Sequence, residues 1–309
     1  MTATSSYAQY DVSYTNRVSY LTNEEYAAAP TAMDISNLVP GGGGPGQSVA
    51  LTEVIARASS WIDQHTMGSY GSLAATTNTE NARVWGSGVG GTGQLIIHPR
   101  YWPIMEVDAF SYAPQGYGSG NAASITPAGN IWIEPQQFIV TPQGVISWGI
   151  NMPGGIVPGV PYFCSWSYTN GYPVSTLSAS VAVGATSIAP VSVVGIYPNS
   201  TLTIYDEPYN EMVQVISSYI PGSATVPLVR GVQSQHPAGV MVTNLPPAIK
   251  QAAISMTSVL IKQRGSGALI VSDMGPVTRV DSGLPQGANA DIALAKELLR
   301  PYRTQFVGY

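Results

Sequence analysis

Residues 135–205 contain no aspartate, glutamate, lysine, arginine or histidine, a run of 71 uncharged positions. A soluble monomer scatters charges over such a length, so this run argues that neighbouring chains cover much of the surface it forms. The alternative is a neutral surface hydrated through Ser, Thr and Tyr. The bias holds for the whole chain: 9% of its residues are charged, against about 25% in ordinary soluble domains. The hydrophobic fraction is an unremarkable 44%, so Ser, Thr, Asn, Gln, Gly, Pro and Tyr have replaced charge rather than core. With 309 residues there is chain enough for two modest domains or one large one.

These facts exclude several classes. Net charge is −5 with dispersed basic residues, so no Lys/Arg stripe offers counterion release from a phosphate backbone. The opening "MTATSSYAQYDVSY" lacks a basic end followed by an apolar run, so it does not read as a secretory signal. Residues 1–17 read instead as a polar arm, flexible or strand-adding. Leu177 to Pro198 is uncharged but interrupted by Ser, Gly and Pro, so it falls short of a membrane span. A soluble chain of cytoplasmic origin is expected, and its single cysteine, Cys164, rules out an intrachain disulfide framework.

The hydrophobic period divides the chain. In "YLTNEEYAAAP", Thr22 is placed to cap a short helix, Glu25 to complete a capping box, and Pro30 to end it. A glycine-rich joint, Pro40 to Gln47, is either a hinge or a plain linker. Leu51, Val54, Ile55, Ala58, Trp61, Ile62 and His65 then recur at helical steps, with Glu53, Arg57 and Asp63 off that face; the predicted helix runs from Gln47 to Thr66 and stops at Gly68. From Leu95 to Val242 the pattern changes to short runs of Ile, Val, Tyr, Phe and Trp between Pro, Gly and Asn, which predicts strands. "LPPAIKQAAISMTSVLIKQRG" restores the helical period: Pro247 opens the helix, Ile249, Ala252, Ala253, Met256, Val259 and Leu260 form its apolar face, and Gly265 ends it. A final helix is expected from Ala290 to Leu299, with Pro301 beyond it. Helices at both ends and strands between them suggest one helical domain interrupted by β structure.

Little in the chain promises chemistry. His65, His98 and His236 lie far apart without ligand spacing, and Cys164 between Phe163 and Trp166 reads as a small buried hydrophobe. Asp206, Glu207 and Glu211 in "YDEPYNE" offer either a hard-cation site or a hairpin tip with solvated carboxylates, and the second is the expectation because the glycine and alternation of an EF-hand loop are missing. "GSGVGG" matches a dinucleotide fingerprint only formally, since the following "QLIIHP" reads as a strand rather than a helix. No catalytic residue, metal site or cofactor is expected.

The order of pieces carries more information: "YLTNEEYAAA", "EVIARASSWIDQHT", "LIIHPRYWPIMEVDAFSY", "WIEPQQFIVTPQGVISW", "CSWSYTNGYP", then "LPPAIKQAAISMTSVLIKQRG". This series, over Val18 to Tyr172 and Leu245 to Arg264, resembles the head completion, or head-to-tail adaptor, proteins of tailed bacteriophages. The resemblance implies an α+β fold in which a helical domain built from both chain ends carries a β hairpin or sheet. It implies an arm at 1–17, a helical domain at 18–94 and 245–265, a β region at 95–172, and a C-terminal extension at 266–309. Residues 173–244 depart from the family pattern and read as an inserted β barrel or sandwich.

What the resemblance implies about function is a ring, twelvefold like the portal, that joins portal to tail in the virion neck. The partners would be other copies, the portal and a neck or tail protein such as a stopper or tail terminator, with DNA passing through the channel unread. Lys250, Lys262 and Arg264 on the last long helix, with Gln251, and Arg300, Tyr302, Arg303 and Phe306 in the C-terminal arm are the candidate interface residues. Two other readings remain open. One is a different virion protein, such as a tail terminator, tail tube or capsid decoration protein. The other is a carbohydrate-binding or hydrolytic β domain using Trp102, Trp132, Trp148 and Trp166.

Overall fold

The computed structural model describes residues 18–35, 38–39, 44–67, 71–88, 93–113, 123–125, 130–141, 156–264 and 288–303. They form a mixed α and β fold with four α-helices and several small antiparallel sheets. Helix α1, Asn23–Ala28, opens on the expected box: the Thr22 hydroxyl accepts from the Glu25 N–H at 3.1 Å, and the Glu25 carboxylate accepts from the Thr22 N–H at 2.7 Å. Helix α2 spans Gly44–Met67, so the last part of the glycine-rich joint is helical; residues 40–43, and Gly68 at the expected stop, lie outside the described residues.

Leu51, Val54, Ile55, Ala58 and Ile62 are buried along α2, while Trp61 is half-buried and stacks flat on His65. Asp63, expected off the apolar face, is also buried. The Tyr20 hydroxyl donates to it, and the Leu73 N–H donates to it at 2.9 Å. Burial first, and the Asp63 carboxylate second, hold the Tyr20 phenol well above its ordinary range. This pair ties the chain ahead of α1 to the segment that leaves α2.

Helix α3, Pro247–Arg264, corrects a second expectation. Its apolar face is buried as expected, but no residue from 248 to 262 is exposed. Ser255, Thr257 and Ser258 are as buried as Met256, and the Tyr26 hydroxyl lies 3.0 Å from that of Ser258. Helix α4, Ala288–Leu299, is no detached extension: Ala295 and Leu299 are fully buried in the core that α2 and α3 share. Among the described residues the Thr257 hydroxyl has no hydrogen-bond partner, and a buried unpaired hydroxyl costs about 1–3 kcal/mol. Thr257→Val keeps the shape and removes the polar atom, so we expect a gain of about 1 kcal/mol, read as a raised thermal midpoint.

The strands in chain order are β1 (Thr76–Trp85), β2 (Leu95–Ile97), β3 (Ile104–Ala113), β4 (Ala123–Ile125), β5 (Ile131–Ile133), β6 (Phe138–Val140), β7 (Pro161–Asn170), β8 (Val174–Thr176), β9 (Ser187–Ile188), β10 (Thr201–Tyr205), β11 (Glu211–Gln214), β12 (Val226–Pro227) and β13 (Met241–Thr243). β1 lies in a stretch assigned to the helical domain, because "TTNTENARVW" carries apolar side chains only in its second half, at Ala82, Val84 and Trp85. It nonetheless pairs with β7 over all ten residues. The larger sheet runs β1-β7-β3-β4, and β2-β6-β5 form a smaller one. Between them Phe110, Phe138, Tyr162, Cys164, Trp166 and Tyr168 share one core.

Residues 177–242 enclose a third core around Leu177, Ile188, Leu202, Ile204, Val215 and Val226, under the sheet β11-β10-β13-β8 and the ribbon β12-β9. The three cores thus follow the chain as a helical unit closed by both ends, a sheet unit and an inserted module. Cys164 is fully buried in the second, and burial pushes its thiol up to about 12. Loss of solvent disfavours the thiolate. In mildly alkaline buffer the native chain should leave a thiol reagent unreacted, and the denatured chain should consume one equivalent.

Candidate functional site

Lys250 was expected on a surface facing neighbours. It is 5% exposed, because α1, α3 and the inserted module meet over it. Its ammonium pairs with the Glu25 carboxylate, lies 3.3 Å from the Met241 sulfur, and sits 3.5 Å from the centroid of the Tyr205 ring. Glu25 therefore serves the α1 cap and the ion pair at once. Loss of solvent is the largest influence on both partners: it raises the Glu25 pKa and lowers that of Lys250, and each charge partly restores the other. Alongside, the Thr243 hydroxyl donates to the Pro173 carbonyl at 2.6 Å and accepts from the Leu245 N–H at 2.9 Å, stitching the module's entry to its exit.

Two clefts flank this junction. A groove of about 370 Å³ runs between Val18, Leu21, Thr22 and Ile55 on the helical side and Val174, Val191 and Met241 on the module. A second, of about 290 Å³, lies between Glu24, Ala28, Tyr205 and Pro237. The first is largely apolar, and neither brings a nucleophile to a base.

The acidic hairpin also differs from expectation. His236 is fully buried, with Nδ1 3.0 Å from Asp206 Oδ2 and Nε2 3.4 Å from Glu211 Oε2. Glu211 further accepts from the N–H groups of Gln233, at 2.8 Å, and Ser234. Asp206 and Glu211 are thus internal brackets for the loop around His236, and the Glu207 carboxylate accepts from Asn210. Among the described residues no group of three or more His, Cys, Asp or Glu is placed to hold a metal ion.

The remaining candidates do not converge. Lys262 pairs with Asp291 at 2.7 Å, joining α3 to α4. The side chain of Arg264 and all of Phe306 lie outside the described residues. Arg300 is exposed and lies 3.1 Å from Glu297, and Arg303 is exposed. Tyr302 packs half-buried against the helical core near Tyr172, whose phenol burial, helped by Tyr302, pushes up to about 12. Nor do the described tryptophans gather in one place: Trp166 is in the sheet core, Trp132 is 69% exposed on β5 and Trp102 is half-buried ahead of β3, while Trp148 lies outside the described residues.

Glu25, Tyr205 and Met241, which surround Lys250, were missed as a group because they come from three distant segments. Only the capping box pointed to Glu25. No helix among the described residues is long and apolar enough to cross a membrane. No protein-family model matches the chain, and a search of curated proteins finds no similar sequence.

Proposed function

We propose that the chain is a structural subunit of a tailed-phage neck, forming a ring that joins the portal to the tail and extends the DNA channel. The observation that carries the reading is the helical unit itself. Its core is closed by α1 and α2 from one end of the sequence and α3 and α4 from the other, with no residue of α3 from 248 to 262 exposed, and both β units issue from it. That is the organisation expected from the ordered motifs that resemble head-to-tail adaptors. The 71-residue uncharged run, which supplies β7 and half of the inserted module, supports burial against other subunits.

In this reading Lys250 and Lys262 act inside the subunit, and Arg300 and Arg303 remain as surface contacts for a neighbouring protein. The head completion architecture, the twelvefold count and the non-enzymatic role belong to the same proposal. Its test is electron microscopy of particles together with the native mass of the purified chain with and without portal. A ring at the neck is the expected result, whereas density for this chain only in the capsid wall or at the tail tip overturns it.

A further inference from the structure

The ten residues of β1 form the end of their sheet. Among the described residues they pair with β7 alone. The length is about twice that of a common strand, and a free edge of that kind is a template that folded proteins normally block. Its two rows differ. Asn78, Glu80, Ala82 and Val84 stand opposite Tyr168, Trp166, Cys164 and Tyr162 on the core side. Thr77, Thr79, Asn81, Arg83 and Trp85 face outward and are exposed. The Arg83 guanidinium lies 5.3 Å from the Trp85 ring centroid and 5.9 Å from that of Phe163. It makes no ion pair among the described residues.

Residues 8–15 carry the complementary pattern. Ala8, Tyr10, Val12 and Tyr14 alternate with Gln9, Asp11, Ser13 and Thr15, the period-2 signature of a strand with one apolar face. Asp11 is the only charged residue before Arg17. Laid beside β1 with Asp11 in the row of Arg83, the segment places Tyr10, Val12 and Tyr14 beside the Ala82 and Val84 row. Gln9, Ser13 and Thr15 then continue the Thr and Asn row. Apolar pairs and one opposite-charge pair meet their counterparts, as cross-strand pairing requires, and Glu80 in the apolar row is already held by the Tyr168 hydroxyl and the Arg100 N–H.

We infer that the β1 edge is an acceptor for residues 8–15 of a second copy of this chain, adding a strand between adjacent subunits. The inference rests on the ring reading, because a donor segment and an acceptor edge on every copy form a heterologous contact that closes only around a symmetric ring. Residues 1–17, extended, reach about 55 Å, enough to leave one subunit and lie along the next.

The test uses the full chain with single cysteines, Ser13→Cys in one preparation and Asn81→Cys in a second of different tag mass. Both sit in the outward row, and the native Cys164 is buried away from them. Mixed under mild oxidation, they are expected to give a disulfide-linked dimer containing both tags. Asp11→Arg or Arg83→Asp should each lower the linked yield about two- to fivefold, and the two together should restore it. A link formed only within the Ser13→Cys/Asn81→Cys double variant places the segment on its own subunit and overturns the inference, as does no link at all. If native mass shows intact rings without links, the strand exchange falls and the ring stands. Linked dimers from a chain that imaging does not find at the neck leave the exchange standing and remove the adaptor reading.

Discussion

Replacing Lys250 with methionine lowers the stability of the folded chain by about 3–5 kcal/mol, the cost of leaving a buried carboxylate without its partner. The side chains of Lys250 and Glu25 are 7% and 9% exposed, so water cannot take the place of the ammonium. The remaining carboxylate would face the Tyr205 ring and the Met241 thioether. Adding Glu25→Gln should recover most of the loss, because the amide oxygen can still accept from the Thr22 N–H and no charge stays buried. Denaturant unfolding of the single and double variants measures the coupling; a Lys250→Met variant within about 0.5 kcal/mol of the parent would remove the ion pair from any structural role.

The same variant has a pH signature. The folded Glu25 carboxyl already lies above the ordinary carboxylate range through burial, and it rises further once the lysine is gone. A carboxyl whose folded pKa exceeds its unfolded one takes up a proton more readily in the folded state. Stability therefore falls as pH rises from the ordinary carboxylate value toward the folded one. The deficit of Lys250→Met is expected to be full at neutral pH and to shrink on acidification, whereas the double variant should lack that slope.

Gly171→Ala is expected to cost about 3 kcal/mol or more. Gly171 joins β7 to the segment that becomes β8, with φ at +84°. A Cβ there would lie 2.7 Å from the Leu73 carbonyl oxygen and 2.8 Å from that of Ala74. Those atoms cannot retreat cheaply, since the Leu73 carbonyl accepts from the Tyr172 N–H at 2.7 Å and the Gly171 N–H donates to Pro103 at 2.9 Å. Gly222→Ala is the control: φ is +88° and nothing lies within 4 Å of the added carbon, so only the backbone strain of about 1–2 kcal/mol remains. Equal losses at the two positions would show that the crowding at Gly171 does not matter.

The sequence spoke clearly where structure is local. The Thr22 and Glu25 box, the stripe from Leu51 to Ile62 and the proline start of α3 follow from contacts within a few residues. What it did not disclose depends on distant partners. Lys250, Ser255 and Ser258 look like a solvent face until Glu25, Tyr205 and Tyr26 arrive from elsewhere. β1 lacks the apolar alternation of a half-buried strand, and its conformation is set by ten paired residues of β7 as much as by its own Thr, Val and Trp. Asp63 lies off the apolar stripe of α2 but belongs inside because Tyr20 donates to it. Of the candidate site, the sequence supplied residue types but not grouping, and so placed Lys250 outside and overlooked the bracketing of His236.

The helical core also sets an order in time. Its first half, through Met67, precedes the end of α3 by roughly two hundred residues, which a ribosome needs about 10–40 s to translate. Through that interval Leu51, Ile55 and Ile62 have no α3 to cover them, while both β units can already close around their own cores. The nascent chain must therefore carry a naked helical face past two finished β folds. α4, made after α3, is what seals it.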